Sequence, residues 1–145
     1  MTPEIGKIAK QAFADSFIFY LQAHYYHWNV EGRHFSQDHK LFETIYIDVQ
    51  ASLDKFAEHL RAMQTYAPAV FDRLKELATI EQSDDIPTAE TMYSNLIDSN
   101  EKVLKSLDSA FDLLEANHLH GFGNFIAERI DAHNKHQWML RSTMK

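Results

Sequence analysis

The chain has 145 residues, 45% hydrophobic and 24% charged, a size and balance that fit one domain over residues 1–145 with a sizeable core. It has no cysteine, which excludes disulfides and thiolate metal sites, and no stretch approaches the ~20 apolar residues of a membrane span. A net charge of −7 without a basic run is a poor match for a phosphate backbone, and Met1-Thr2-Pro3-Glu4 lacks a signal-peptide pattern, which suits a cytoplasmic protein.

Four glycines and three prolines in the whole chain predict long helices. Pro3 and Glu4 open the first, which runs to about Val30 with Phe13, Phe17, Leu21 and Trp28 along one side. Glu31-Gly32-Arg33 breaks it. Ser36 is the expected cap of a second helix reaching about Met63, whose apolar stripe is Leu41, Phe42, Ile45, Val49, Leu53, Phe56 and Leu60. Pro68 restarts the chain, Phe71 to Leu77 form a short helix, and Ser83 to Pro87 read as a loop. Thr88 caps a third long helix carrying Met92, Leu96, Val103, Leu107, Phe111 and Leu114. Asn117 to Gly123 is the next break, and Phe125 to Ser142 the fourth long helix. No segment reads as a strand. The fold expected is all-α, a four-helix bundle with a short helix in a long middle crossover, the connectivity of ferritin-like bundles.

Nine histidines and twenty-one acidic residues can supply nitrogen and oxygen metal ligands, although they also make an ordinary solvated surface. The second helix holds the informative pattern. His39 and Glu43 are four apart, Asp54 and Glu58 are four apart, and Glu43 and Asp54 are eleven apart, about three turns. The four therefore lie along one strip beside the apolar stripe. A bundle-centre di-iron site uses Glu-x-x-His pairs on facing helices. Here Glu31-x-x-His34 falls in a break and Glu115-x-x-His118 at a helix end, so that arrangement is not expected. A carboxylate strip outside the core needs a second surface to complete a site, and a neighbouring subunit is the natural source. A solvated face with i,i+4 ion pairs is the alternative.

His27-Trp28-Asn29-Val30-Glu31-Gly32, then Phe35, His39, Glu43, Asp54, Ala57 and Glu58, and finally Trp138-Met139-Leu140-Arg141, resemble the signature of the Dps family, the DNA-binding proteins from starved cells. The resemblance runs along essentially the whole chain. It implies a dodecameric hollow shell with a ferroxidase centre at each two-fold interface, oxidising Fe(II) with hydrogen peroxide or dioxygen and storing ferric mineral. By position, His27 and His39 come from one subunit, Asp54 and Glu58 from its partner, Glu43 lies near the second iron position, and Trp28 lies beside the centre. Imidazole and carboxylate suit iron, and zinc is a possible substitute. Tyr25 and Tyr26 are candidate quenchers of one-electron oxidants or simply packing aromatics.

Departures accompany the resemblance. Asn124 stands where many relatives have a pore-lining acid, with Glu128 one turn on. Only Met1-Thr2 precede Pro3, in place of the lysine-rich tail of DNA-binding relatives, so DNA binding is not expected. His118 and His120 are either exposed loop histidines or a minor metal site. A structural or DNA-compacting shell without efficient iron oxidation, and a module holding zinc at the same ligands, are the competing readings.

Overall fold

The computed structural model describes residues 2–145, so of the two residues ahead of Pro3, Met1 lies outside the described residues. Five helices follow one another: α1 (Pro3–Asn29), α2 (Phe35–Ala62), α3 (Phe71–Leu77), α4 (Ala89–Ala116) and α5 (His120–Thr143). The described residues contain no strand. The four long helices form a bundle, and α3 sits in the crossover from α2 to α4, packed on α1. Hydrogen bonds fix the directions. Asp15 with Ser106 and Tyr26 with Asn95 run α1 antiparallel to α4, while Tyr93 with Asp38 sets α2 and α4 parallel, as a crossover requires. No helix of the described residues is long and apolar enough to cross a membrane.

The ends of the helices follow local chemistry. The Thr2 hydroxyl accepts from the Ile5 amide at 3.3 Å, and the Thr88 hydroxyl accepts from the Thr91 amide at 3.2 Å. Ser36 is not a cap: α2 begins at Phe35, with His34 at the cap position and no side-chain capping bond. Gly32 adopts φ +128° in the turn between α1 and α2, a conformation that favours glycine. The C-termini of α2 and α4 close in the same way. Gln64 and His118 take φ +64° and +59°. Their amides bond back to Arg61 and Glu115, and the next amides, Thr65 and Leu119, reach Leu60 and Leu114 at 3.2 and 2.9 Å. These are Schellman closures made without glycine.

The core of α2 is the expected stripe: Phe42, Ile45, Val49, Leu53, Phe56 and Leu60 are buried, with Leu41 at its margin. That of α4 matches too, apart from a half-buried Phe111. The expected side of α1 needs correction. Phe13 is buried, but Phe17 and Leu21 are only half-buried and Trp28 is 63% exposed. The face that enters the core carries Ile5, Ala9, Ala12, Phe19, Ala23 and Tyr26. Small alanines there allow close helix approach, and the larger residues outside them are free for another task. The fourth long helix also begins earlier than expected. The glycine-containing stretch His120–Phe125 is already helical, and Gly123 faces α4, where a Cβ would stand 2.6 Å from Glu115 Oε1.

Three polar clusters, two buried and one half-buried, specify how the helices meet. Asp15 is fully buried. It accepts from the Thr79 amide at 2.6 Å, the Thr79 hydroxyl at 2.9 Å and the Ile80 amide at 3.2 Å, and also from the Ser106 hydroxyl. It thereby pins the crossover to α1 and α4. Asn100 donates to the His133 carbonyl at 2.9 Å and to Gln137 at 2.8 Å, while His133 Nδ1 donates back to Asn100 Oδ1 at 2.7 Å. Burial, then Arg129 and His136, hold the His133 pKa well below its usual value, so it stays neutral. Asp48 joins α2 to α5. Arg129 binds it bidentately at 3.2 and 2.8 Å, and His136 Nε2 lies 2.7 Å from its Oδ2.

Candidate metal centre

The end of α1 and the start of α2 converge on His27 and His39. His27 Nδ1 donates to the His39 carbonyl at 2.8 Å, and His39 Nδ1 donates to the His27 carbonyl at 2.7 Å. The rings stack with centroids 3.8 Å apart and planes at 16°. A carbonyl can only accept, so each Nδ1 carries a hydrogen and each Nε2, in the neutral ring, keeps its lone pair. The pairing also has a local cause. The His27 carbonyl belongs to the last turn of α1, where carbonyls lack an amide partner within the helix, and the His39 ring supplies one. Two imidazoles are thus held in the tautomer and orientation a metal ligand requires.

Glu43 lies one turn further along α2. Its carboxylate accepts from Lys40 Nζ at 2.7 Å, a contact that lowers its pKa and raises that of the lysine. The lysine is well exposed, and exposed pairs of this kind contribute little, so an incoming cation has little to displace. Asp54 and Glu58 are exposed and, among the described residues, engage no hydrogen bond or ion pair. Asp54 is fifteen residues beyond His39, roughly 22 Å along a straight helix. The structure therefore pairs His27 with His39, sets Glu43 one turn further along α2 in the grip of Lys40, and leaves Asp54 and Glu58 at the far end of the same strip. Among the described residues, no three His, Asp or Glu side chains of one chain are placed to hold a metal ion. Of the Glu-x-x-His strings, Glu31, His34 and His118 are exposed at helix ends.

Around this pair stands an aromatic cluster that the sequence pattern did not single out. His24 stacks on Tyr46 at 3.8 Å and 8°, and Trp28 lies against it at 3.8 Å and 31°. Tyr20 Oη is 2.9 Å from His24 Nδ1. Burial, then the neighbouring His27, lower the His24 pKa, so the ring is neutral at neutral pH. Burial, then Tyr46, raise that of Tyr20. The available signal was spacing: His24 is three residues before His27 and four before Trp28, hence on their face of α1. Tyr25 and Tyr26 turn elsewhere. Tyr25 donates to the Asp84 carbonyl at 2.7 Å, and Tyr26 accepts from Asn95 at 2.9 Å, so both are packing and tethering residues. At the opposite end of the bundle, His120 Nδ1 lies 3.3 Å from Glu115, and both His118 and His120 are on the surface. Asn124 and Glu128 share the exposed face of α5.

Comparison with known proteins agrees with the bundle. A family model described as a ferritin-like domain matches residues 7–145, and the chain belongs to that family. Within it, its relatives include proteins named DNA protection during starvation protein, and its structural neighbours include Dps proteins. It is 29% identical to an uncharacterized low temperature-induced protein of Nostoc over 140 residues, spanning 93% of this chain and 76% of that one. It is 23% identical to DNA protection during starvation protein 2 of Bacillus anthracis, over 98% and 97% of the two chains. A Dps protein from Vibrio cholerae, described as a member of a broad superfamily of ferritin-like diiron-carboxylate proteins, superposes with a TM-score of 0.92 at 24% identity, covering 98% of this chain and 89% of that one.

Proposed function

We propose that this chain, as one ferritin-like unit over residues 1–145, is the subunit of a dodecameric shell in the cytoplasm. The shell oxidises ferrous iron with hydrogen peroxide at centres shared between subunits and stores the ferric product as mineral. The observation that carries the reading is the placement of ligands on α2. His39 is as far before the midpoint between Asp48 and Val49 as Glu58 is beyond it, and Glu43 and Asp54 are related in the same way. Two copies of α2 crossing antiparallel at that midpoint set His39 and Glu43 of each against the carboxylate pair of the other. Such an isologous contact produces two identical centres at once. Ile47 and Gln50 occupy the middle of the strip, both exposed, and each meets its mirror partner across the dyad.

Each centre then offers two imidazole nitrogens, from His27 and His39, and the carboxylates of Glu43, Asp54 and Glu58, with Trp28 at its edge. Hard carboxylate oxygens favour the ferric ion, which assists oxidation. Two ferrous ions held together deliver both electrons to one peroxide, giving two ferric ions and two hydroxides without free radicals. Zinc fits the same ligands as a competitor. The net charge of −7 favours cations over nucleic acid as the shell's partners.

The test is anaerobic addition of ferrous iron to the metal-free protein, followed by one peroxide per two irons. Ferric absorbance and soluble iron are then followed on the assembled particle. Rapid oxidation with ferric iron retained in soluble shells is the expected result. A rate equal to a protein-free control, with precipitation, removes the enzymatic reading and leaves a structural shell or a site for another metal.

A further inference from the structure

We infer that His133 and His136 hold a divalent transition-metal ion of the zinc class inside the bundle of each single chain, with Gln22 as a third ligand. The site is separate from the proposed centre between subunits. Its starting point is a set of buried side-chain atoms that lack any hydrogen-bond partner. Among the described residues these are His133 Nε2, His136 Nδ1 and Gln22 Oε1. Such atoms are uncommon in a folded chain, because each has given up water without a replacement.

The state of each ring follows from its other nitrogen. The His133 carbonyl can only accept, so it takes the Asn100 amide nitrogen at 2.9 Å and turns the Asn100 oxygen to His133 Nδ1, 2.7 Å away. His133 Nδ1 therefore carries the hydrogen, and Nε2 is left with a bare lone pair. Burial first, then Arg129 and His136, keep that ring neutral. The Asp48 carboxylate accepts from His136 Nε2 at 2.7 Å, which leaves Nδ1 as the free nitrogen. Oxygen acceptors behind both imidazoles, one of them a carboxylate, are the outer partners that commonly orient metal-binding histidines.

Position brings the free atoms toward one another. The two nitrogens of an imidazole face nearly opposite ways. The free nitrogen of His133 is thus turned from Asn100 on α4, and that of His136 from Asp48 on α2, which leaves α1. The Phe19 ring of α1 lies 5.5 Å from that of His133, and Gln22 stands one turn further along α1. The antiparallel pairing of Asp15 with Ser106 and of Tyr26 with Asn95 sets Gln22 level with Ser99, next to Asn100. The two imidazole centroids are 5.5 Å apart, with planes at 88°. Two imidazoles on one tetrahedral ion, each nitrogen about 2.0–2.1 Å from the metal, have centroids about 5 Å apart, so both rings reach one ion with little movement.

The charge balance selects the ion. Asp48 is matched by Arg129, 2.8 Å away, so hard ions that need anionic oxygen gain little here. Ions with a high affinity for imidazole, zinc, cobalt(II) and copper(II) among them, gain most. With two imidazoles, one amide oxygen and no carboxylate among its ligands, this is a one-ion site and no di-iron centre. A water molecule completes four-coordination. The ion ties α5 to α1, which otherwise meet mainly through α2 and α4.

Cobalt(II) is the probe, because tetrahedral coordination gives it intense visible bands. The titration uses a His27→Ala/Asp54→Ala protein, verified as folded by circular dichroism, so its outcome does not depend on the iron reading. Bands should develop that saturate at one ion per chain, with a rise in the thermal midpoint. In the same background His136→Gln can still donate to Asp48 but lacks the free ring nitrogen, and it should lose both the bands and the rise. Bands of full intensity in the His136→Gln protein overturn the inference, as does their absence from its parent. If either variant does not fold, crystals of the unmutated protein grown with zinc decide. An anomalous zinc signal between His133 Nε2 and His136 Nδ1 supports the site. Density without that signal, an ordered water, overturns it, and so does the lack of any density there.

Discussion

At the scale of single residues, the chain separates its proposed ligands from its scaffold. His27 and His39 are oriented by backbone carbonyls, and Asp54 and Glu58 stand free. Losing an outer partner of a metal ligand commonly costs about 10- to 100-fold in affinity or activity. His27→Ala and Asp54→Ala should therefore each slow peroxide-driven iron oxidation by at least about tenfold while leaving particle size unchanged. Dissociation of either variant into smaller species, seen by light scattering, would instead give these residues an assembly role. Asp48 serves stability. Burial opposes its charge, but His136 and Arg129 outweigh that and hold its pKa far below the usual carboxylate value. Its contribution is present above the ordinary carboxylate range, about pH 4, and disappears as the pH falls toward the depressed folded value. Asp48→Asn should lower the thermal midpoint at pH 7 and flatten its decline below pH 4. An unchanged decline would show that other carboxylates govern acid unfolding. The strip of His39, Glu43, Asp54 and Glu58 was readable as a shared face because helical spacing alone aligns these residues on α2. The Tyr20–His24 pair and the buried Asp15 were not. A lone acid on a helix reads as solvated, and the stack depends on how α1 rolls against its neighbours.

At the scale of elements, sequence and structure part company where local signals conflict with packing. The helices of α2 and α4 were legible because one clean stripe marks the buried side. The first helix is apolar on several sides, so periodicity could not choose between Phe17, Leu21 and Trp28 on one side and Ala9, Ala12, Phe19 and Ala23 on the other. Alanines win because they let α1 lie close to its partners. The early start of α5 has a similar cause: Gly121 and Gly123 read as breakers, but the absence of a side chain at Gly123 gives Glu115 its space. The Schellman closures yield a prediction. Gln64 holds a left-handed conformation that L-residues adopt at a cost of about 1 kcal/mol or more. Gln64→Gly should therefore stabilise the chain by up to about 1 kcal/mol, seen as a thermal midpoint a few degrees higher. A lower midpoint would mean that the Gln64 side chain contributes more in its place than the strain it carries.

At the scale of the whole molecule, the surface is what one expects of a chain that does not act alone. Ile47 is 51% exposed in the middle of the ligand strip, while Phe71, 81% exposed, opens α3. Ile47→Asp sets two carboxylates near the proposed dyad and should break the shell into smaller species that oxidise iron no faster than buffer. Intact particles with full activity would remove α2 from the two-fold contact. The exposed tryptophans add an optical consequence. Trp28 and Trp138, 63% and 64% exposed in the single chain, lie on α1 and α5, and only Trp28 touches an imidazole beside the ligands. Their fluorescence reports two events separately. Burial of either indole on association should shift emission to the blue, and iron held at the proposed centre beside Trp28 should dim that indole alone, so on the proposed reading the protein carries its own gauge of assembly and loading without an added dye.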